Sequence, residues 1–161
     1  MNKLCSCIVP CFNEEKVIPI YYDEMQKVMK QEENIEFEII FVDDGSKDKT
    51  LKKLKELHEK DDECVKIVSF SKNFGKEAAM LAGLDYSTGD YITLMDADLQ
   101  DPPELIPQMV ELWEQGYDDV YAQRKSRKGE TWLKKFTSKM YYKVLQSLTR
   151  VPIQKDTGDF R

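Results

Sequence analysis

The sequence lacks the features of membrane-spanning, exported and fibrous chains. No apolar stretch approaches the roughly 18 residues that a membrane span needs. The first predicted strand meets Asn13, Glu14 and Glu15 too soon for the apolar core of a signal peptide. Glycine and proline are scarce, at seven and six in 161 residues, whereas 41% of the residues are hydrophobic. We therefore expect one soluble globular domain, residues 1–161, with an ordinary core and no export.

The chain also has few residues that bind soft metals, and their spacing in the sequence is not that of a metal site. The four cysteines form no CxxC pair, and His58 is the only histidine. Cys5 and Cys7 share one face of a predicted strand, which favours small buried thiols in a reducing compartment over a disulfide or a metal site. His58 falls on the apolar stripe of a predicted helix, which indicates a packed, structural side chain.

What the chain does have is an alternation of short apolar runs with helical patterns. Strands are predicted at residues 4–10, 37–42, 65–70 and 91–95, with a less regular fifth at 117–122. Helices are predicted at residues 15–31, 49–60, 76–86 and 103–115. This order predicts an α/β domain with a mainly parallel sheet and helices on both faces.

Three loops at the carboxyl ends of these strands carry polar residues, and ligands of parallel sheets bind at that edge. The loops read PCFNEE, DDGSKDKT and DADLQDPPE at residues 10–15, 43–50 and 96–104. None has the glycine pattern of a dinucleotide or P-loop phosphate cradle. The carboxylates of Asp43 and Asp44 can accept hydrogen bonds from a ribose diol or a base N–H. The alternative is a pair of turn and capping residues beside Gly45.

Asp96 and Asp98 concentrate negative charge at the end of the fourth strand. Two such carboxylates can converge on one hard divalent cation, Mg²⁺ or Mn²⁺, and Gln100 can add a neutral oxygen. A cation held by two or three protein oxygens keeps positions open for substrate phosphates. A lone DxD is common in solvated loops, but a second acidic pair at the neighbouring strand end favours a metal and diphosphate site.

Charge is divided unevenly along the chain. The net charge is −6, yet residues 124–150 carry +8 and residues 1–123 carry −14. In residues 131–148, apolar side chains recur near helical spacing and lysines occupy other positions. This pattern predicts a helix that lies on an anionic membrane surface, or one that packs on the sheet with its lysines in water. We expect no nucleic-acid partner, because no recognisable nucleic-acid module accompanies the charge.

Four motifs, in order, resemble the family 2 glycosyltransferases of the GT-A fold: SCIVPCFNEE, FVDDGSKDKT, FSKNFGKEAAMLAGLDYSTGDYITLMDADLQDPPE and DTGDFR. Within that family they are most similar to the polyprenyl-phosphate sugar transferases, the group of dolichol-phosphate mannose synthase and bactoprenol glucosyltransferase. The resemblance implies a single GT-A, Rossmann-like domain. It also implies sugar transfer from a nucleotide diphosphate sugar, with UDP favoured over GDP, to polyprenyl phosphate at the cytoplasmic face of the membrane.

The resemblance further implies roles for individual residues. The nucleotide would contact Pro10, Asn13, Glu14, Asp43, Asp44, Asp96 and Ala97. Mg²⁺ or Mn²⁺ would bind Asp96, Asp98 and Gln100, which makes Asp98 a catalytic residue as well. Asp159 is the candidate base beside the acceptor, with Asp156 the alternative, and Arg124 and Arg161 would contact phosphate. Because a lipid phosphate is already ionised near neutral pH, the carboxylate can serve orientation more than base catalysis.

Members of the resembled group usually continue past DTGDFR into further helices and membrane spans, whereas this sequence ends at Arg161. We therefore expect a catalytic domain cut short of a C-terminal membrane anchor. Two other classes stay open: a nucleotidyltransferase that makes nucleotide sugars, and a receiver-like signalling module or inactive binding fragment. Against a receiver, VSFSKN lacks the phosphoacceptor aspartate that such a module needs. Lys76 could reach a phosphate or be solvated. The sequence predicts no oligomeric state.

Overall fold

The computed structural model of the protein describes residues 3–122 and residue 160. The chain divides into two compact units, Met1–Val120 with Asp159–Arg161, and Tyr121–Gly158. Every element described below belongs to the first unit. In chain order they are β1 (Lys3–Cys11), α1 (Ile18–Met29), β2 (Ile35–Asp43), α2 (Thr50–Lys60), β3 (Val65–Ser69), α3 (Lys76–Tyr86), β4 (Tyr91–Leu94) and α4 (Ile106–Glu114).

The four strands form one parallel sheet in the order β3-β2-β1-β4. β1 lies between β2 and β4, so that Cys11 pairs with Asp43 at the end of β2 and Ile8 pairs with Leu94 at the end of β4. Because all strands run in the same direction, the loops that follow them meet at one edge of the sheet. The predicted parallel α/β architecture is confirmed.

Alternate residues of the central strands point to opposite faces of the sheet, and a helix covers each face. On one face, Ile8 packs with Ala79 of α3 in a fully buried cluster. Here α3 lies so close that a Cβ atom on Gly83 would fall 2.2 Å from Cγ2 of Ile8. On the other face, the ring of Phe41 meets that of Tyr21 in α1 edge to face, with 5.9 Å between their centroids.

A buried polar network joins four segments of the chain near the amino-terminal end of the sheet. Glu38 is 2% exposed and accepts hydrogen bonds from Oγ of Ser6, at 2.5 Å, and from the N–H of Thr88, at 2.8 Å. Lys66 of β3 forms an ion pair with the same carboxylate. Burial alone would raise the pKa of Glu38, but the hydrogen bonds from Lys66, Ser6 and Thr88 outweigh burial, so that its pKa is lowered.

The elements differ from the sequence prediction in three places. Residues 117–122 contain no strand, because only Val120 is buried there and the run offers no continuous apolar face. α1 begins at Ile18, because the carbonyl of Glu14 accepts the N–H groups of Val17 and Ile18 in a preceding turn. A 3₁₀ turn at Pro103–Leu105 precedes α4, so the predicted single helix is divided.

The four cysteines have the structural character predicted for them, whereas the prediction of a packed histidine is wrong, because the His58 side chain is exposed. All four cysteines are buried and free. His58 is more exposed than its apolar stripe suggested, yet its Nδ1 lies 2.6 Å from the carbonyl oxygen of Val65. This contact joins the last turn of α2 to the first residue of β3.

Within the described part of the chain, no helix combines the length and apolarity that a membrane crossing requires. The predicted basic helix within residues 124–150 lies outside the described residues, and both interpretations of it stay predictions.

Candidate active site

A cavity of about 350 Å³, which we call the strand-end cavity, opens at the carboxyl ends of the strands. Its lining contains six of the residues that the sequence predicted: Pro10, Glu14, Asp44, Asp96, Ala97 and Asp98. These residues follow or end three different strands, β1, β2 and β4. The structure therefore brings the three predicted loops to one place, as the parallel sheet requires.

Three other predicted residues, Asn13, Asp43 and Gln100, lie in the same loops but are not among the lining residues, and the side chains of the first two hold backbone in place. Asn13 has a left-handed backbone, with φ 57°, and its Oδ1 accepts the N–H of Lys47 at 2.9 Å. The carboxylate of Asp43 is 1% exposed and accepts hydrogen bonds from the N–H of Ser46, at 3.1 Å, and from Oγ of Ser69, at 3.2 Å. These are the contacts expected of turn residues.

Asp44 lines the cavity and also fixes the loop that leads into α3. Its Oδ1 accepts the N–H of Phe74 at 2.6 Å, and its Oδ2 accepts the N–H of Gly75 at 2.9 Å. The neighbouring Gly45 has φ 66°, and a Cβ atom there would lie 2.4 Å from the carbonyl carbon of Lys72. The turn after β2 therefore packs directly against the loop after β3, and Asp44 holds the two together.

Negative charge gathers where the loops after β1 and β4 meet. The pKa of Glu14 is raised, first by burial and then by the charges of Asp98, Asp48 and Asp96. Asp96 and Lys76 both line the cavity, and Nζ of Lys76 lies 2.6 Å from Oδ1 of Asp96. Asp96 thus has a cationic partner, whereas the negative charges of both Asp96 and Asp98 raise the pKa of Glu14.

The carboxylates of Asp96 and Asp98 fit a hard divalent cation whose other ligands are water and substrate phosphate. Among residues 3–122 and 160, no three side chains of His, Cys, Asp or Glu are grouped to hold a metal ion by themselves. Asp96 and Asp98 offer the hard oxygens that Mg²⁺ and Mn²⁺ accept, and such ions commonly keep water and substrate phosphate in their shells. The donor chemistry suits a cation shared between protein and substrate.

The DxD turn has a specific backbone conformation. Leu99 has φ 58°, which a bulky L-residue rarely adopts, and the N–H of Gln100 donates to Oδ1 of Asp98 at 3.0 Å. This hydrogen bond spans two residues, as in an Asx turn. It orients Asp98, whose side chain lies in the exposed part of the loop.

The structure adds lining residues that were not predicted. Phe12 and Cys11 come from the end of β1, and Asn73 and Gly75 come from the loop after β3. Lys76, for which the sequence left a phosphate contact or solvation open, also lines the cavity, as the first residue of α3. Burial raises the pKa of the Cys11 thiol, as do the charges of Asp43 and Glu14. The signal for the loop after β3 was present in the sequence, because every loop that follows a parallel strand reaches this edge.

The predicted residues on the acceptor side are not described by the structure. Asp156, Asp159, Arg124 and Arg161 all lie outside residues 3–122 and 160. Phe160, within the DTGDFR motif, is described and is 1% exposed. The roles of Asp156, Asp159, Arg124 and Arg161 stay predictions.

Solved glycosyltransferase structures share this fold. A mannosyltransferase of Pyrobaculum calidifontis, solved with GDP-Man and Mn²⁺, aligns over 77% of this chain and 36% of its own, with a TM-score of 0.62 and 22% identity. Glucosyl-3-phosphoglycerate synthase of Mycobacterium tuberculosis, solved with Mn²⁺, UDP and glucosyl-3-phosphoglycerate, aligns over 79% and 45%, with a TM-score of 0.60 and 24% identity. These neighbours confirm the predicted GT-A fold.

Sequence relatives agree with the resemblance. An uncharacterized glycosyltransferase of Bacillus subtilis, YkcC, is 51% identical over 97% of this chain and 48% of its own length. A prophage bactoprenol glucosyl transferase homolog of Escherichia coli is 43% identical over 97% of this chain and 50% of its own. The chain therefore spans about half the length of the curated relatives it matches. The family model for glycosyl transferase family 2 matches residues 6–161, so the chain belongs to that family.

Proposed function

We propose that this chain is the catalytic part of a transferase that moves a sugar from a nucleotide diphosphate sugar to polyprenyl phosphate. The observation that carries the proposal is the strand-end cavity, in which acidic residues from three strand ends meet. The relative named as a bactoprenol glucosyl transferase homolog supports a polyprenyl phosphate acceptor. We expect a UDP-sugar rather than a GDP-sugar as the donor.

In this proposal the cavity has a nucleoside side and a diphosphate side. Pro10, Glu14 and Asp44 contact the base and ribose, whereas Asp96 and Asp98 hold the cation, with Gln100 as a further oxygen. Mg²⁺ or Mn²⁺, when bound, would neutralise the charge that develops on the departing nucleoside diphosphate. The carboxylates hold and orient the donor, and this role agrees with the crowding of negative charge around Glu14.

The acceptor side of the proposal rests on sequence motifs. A phosphate oxygen of the lipid attacks the sugar, Asp159 or Asp156 orients it, and Arg124 and Arg161 contact phosphate. The basic residues of 124–150 bring this side to an anionic membrane surface, at the cytoplasmic face. A membrane anchor in a longer form of the protein belongs to the same proposal.

A binding experiment tests the donor site directly. We expect Asp96→Asn and Asp98→Asn each to abolish Mn²⁺-dependent binding of UDP, measured by isothermal titration calorimetry, because each removes a charged ligand of the cation. The fold should survive, since neither aspartate is buried. Removing the charge of Asp98 relieves repulsion at Glu14 and can even raise the melting temperature without ligand, whereas Asp96→Asn also loses the ion pair with Lys76.

Asp85→Asn is the matched control, because it removes one exposed carboxylate from the end of α3, outside the cavity lining. It should bind UDP and Mn²⁺ like the wild type. If Asp96→Asn or Asp98→Asn also bound like the wild type, the metal assignment would be wrong. Turnover of nucleoside triphosphate with sugar phosphate, in place of sugar transfer, would favour a nucleotidyltransferase.

A further inference from the structure

We propose that Lys76 is a built-in counter-ion of the cation site: its ammonium group holds Asp96 while the divalent cation is absent, and contacts the donor's diphosphate once the cation has taken Asp96. The inference rests on the proposed function and assigns a residue to it. Its basis is the pair formed by Nζ of Lys76 and Oδ1 of Asp96, 2.6 Å apart, in the lining of the strand-end cavity.

The position of Lys76 is fixed from both sides. Before it, the buried carboxylate of Asp44 binds the N–H groups of Phe74 and Gly75. Behind it, Ala79 is fully buried against the sheet, less than one helical turn further along α3. The backbone of the first residue of α3 is therefore held at the cavity, where the side chain of Lys76 reaches Asp96.

The location of Lys76 in its helix points to an anionic partner. Lys76 is the first residue of α3, where the helix dipole disfavours a cation and favours an anion. Asp96 offsets this disadvantage while the cavity is empty of ligand. A diphosphate would offset it further, because the amino-terminal end of a helix and an ammonium group both attract phosphate.

The ion pair is also suited to exchange. The side chains of Lys76 and Asp96 are 37% and 39% exposed, so water screens their attraction and their separation is inexpensive. A divalent cation carries twice the charge of the ammonium group and can displace it from Asp96. The displaced ammonium group stays at the cavity, where the phosphates of a donor bound to that cation would be within its reach.

The experiment compares Lys76→Gln, Lys76→Arg and a control in the full chain. For Mn²⁺ alone, measured by electron paramagnetic resonance of the free ion, Lys76→Gln should bind several-fold more tightly, because the competitor for Asp96 is gone. For UDP at saturating Mn²⁺, measured by calorimetry, the same variant should bind about tenfold more weakly, the loss expected for one charge-assisted hydrogen bond. Lys76→Arg keeps the charge and should restore most of the UDP affinity.

Lys72→Gln is the control, because it removes the same charge four residues earlier, from a side chain that lies over the Phe74 ring and is not among the lining residues. It should leave both affinities unchanged. If Lys76→Gln matches the wild type in either titration, the counter-ion role of Lys76 is overturned while the proposed function stands. If the wild type binds neither Mn²⁺ nor UDP, the proposed function fails first, and the role of Lys76 falls with it.

Discussion

Single carboxylates at the strand ends differ by their burial and partners. Asp43 and Asp44 are 1% and 4% exposed, and their oxygens accept hydrogen bonds from backbone N–H groups and a serine hydroxyl. Asp98 is exposed, and Asp96 is partly exposed and paired with Lys76. The sequence predicted which acids gather at the edge, because strand ends are visible in it. It could not predict that Asp44 binds the loop before α3, since that partner lies in a distant part of the chain.

Asp44→Ala should therefore damage both the fold and the donor site. It removes two part-buried hydrogen bonds to a charged acceptor, those from the N–H groups of Phe74 and Gly75, at a cost of roughly 1–3 kcal/mol each. We expect the free energy of unfolding in urea to fall by about 2–4 kcal/mol. UDP should bind more weakly, but its binding should still depend on Mn²⁺, because Asp96 and Asp98 are intact.

Asp85→Ala, which removes an exposed carboxylate, is the comparison and should change the free energy of unfolding little. Unchanged urea unfolding in Asp44→Ala would mean that the two N–H groups find other acceptors. Unchanged affinity for the whole nucleotide would remove Asp44 from the proposed nucleoside side.

The helices and strands were predictable where the pattern is local. The four strands and four helices appear in the predicted order, because apolar runs and amphipathic stripes depend on neighbouring residues. Their ends were less predictable: α1 starts late because a turn held by the Glu14 carbonyl precedes it. Residues 117–122 looked like a strand only because two tyrosines and a valine have high strand propensity.

The close approach of α3 to the sheet predicts that a glycine-to-alanine substitution in this helix changes the stability of the protein in the direction opposite to the usual one. Replacing a helical glycine by alanine normally stabilises a protein by about 0.5–1 kcal/mol. At Gly83 the new Cβ would lie 2.2 Å from Cγ2 of Ile8, so we expect Gly83→Ala to destabilise by about 1–3 kcal/mol instead. Thermal and urea unfolding measure the change.

The double variant Gly83→Ala, Ile8→Ala provides the control, because it removes the methyl group that the new Cβ meets. The penalty of Gly83→Ala should be smaller in the Ile8→Ala background than in the wild type. A penalty of equal size in both backgrounds would place the strain somewhere other than the contact with Ile8.

The Glu38 network gives a pH prediction for the pairing of β2 with its neighbours. Because the pKa of Glu38 is lowered in the folded protein, its contribution to stability is complete above the unfolded value of 4.5 and is lost as the pH falls through the folded pKa. Glu38→Gln should therefore be less stable than the wild type near neutral pH. The difference should shrink as the pH falls below 4.5, in urea titrations at several pH values.

Glu36→Gln, in the same strand, is the comparison for this effect, because the exposed Glu36 lies outside the network. Its difference from the wild type should change little over the same range. A difference for Glu38→Gln that stayed constant with pH would show that the carboxylate gains nothing from its ionised form.

The whole molecule combines an acidic body with a basic segment, residues 124–150, outside the described part of the chain. If this segment faces a membrane, the protein should bind anionic vesicles better than zwitterionic ones despite its net charge of −6. High salt should weaken the binding, because exposed charges are screened. Each lysine near the surface contributes about 1 kcal/mol. Co-sedimentation should therefore show most of the preference lost on fourfold substitution by glutamine of Lys134, Lys135, Lys139 and Lys143.

The control substitutes four exposed lysines of the described unit, so that the net charge changes equally. These are Lys30, Lys52, Lys55 and Lys60. Their replacement should preserve the preference for anionic vesicles. Equal binding of the wild type to both vesicle types would indicate that the basic segment presents its lysines to water alone.

The strand order also determines when the strands of the sheet can pair during translation. β1 is translated before the other three strands of this sheet, yet it lies between β2 and β4, and its pairing with β4 requires residues 91–94. One side of β1 therefore has no partner in the sheet until residues 91–94 have been translated. Pairings between distant segments slow folding, and an open strand edge invites association between unfinished chains. The strand order that assembles the cavity from distant loops therefore also leaves each nascent chain with an open strand edge, and a chaperone bound at that stage would prevent association.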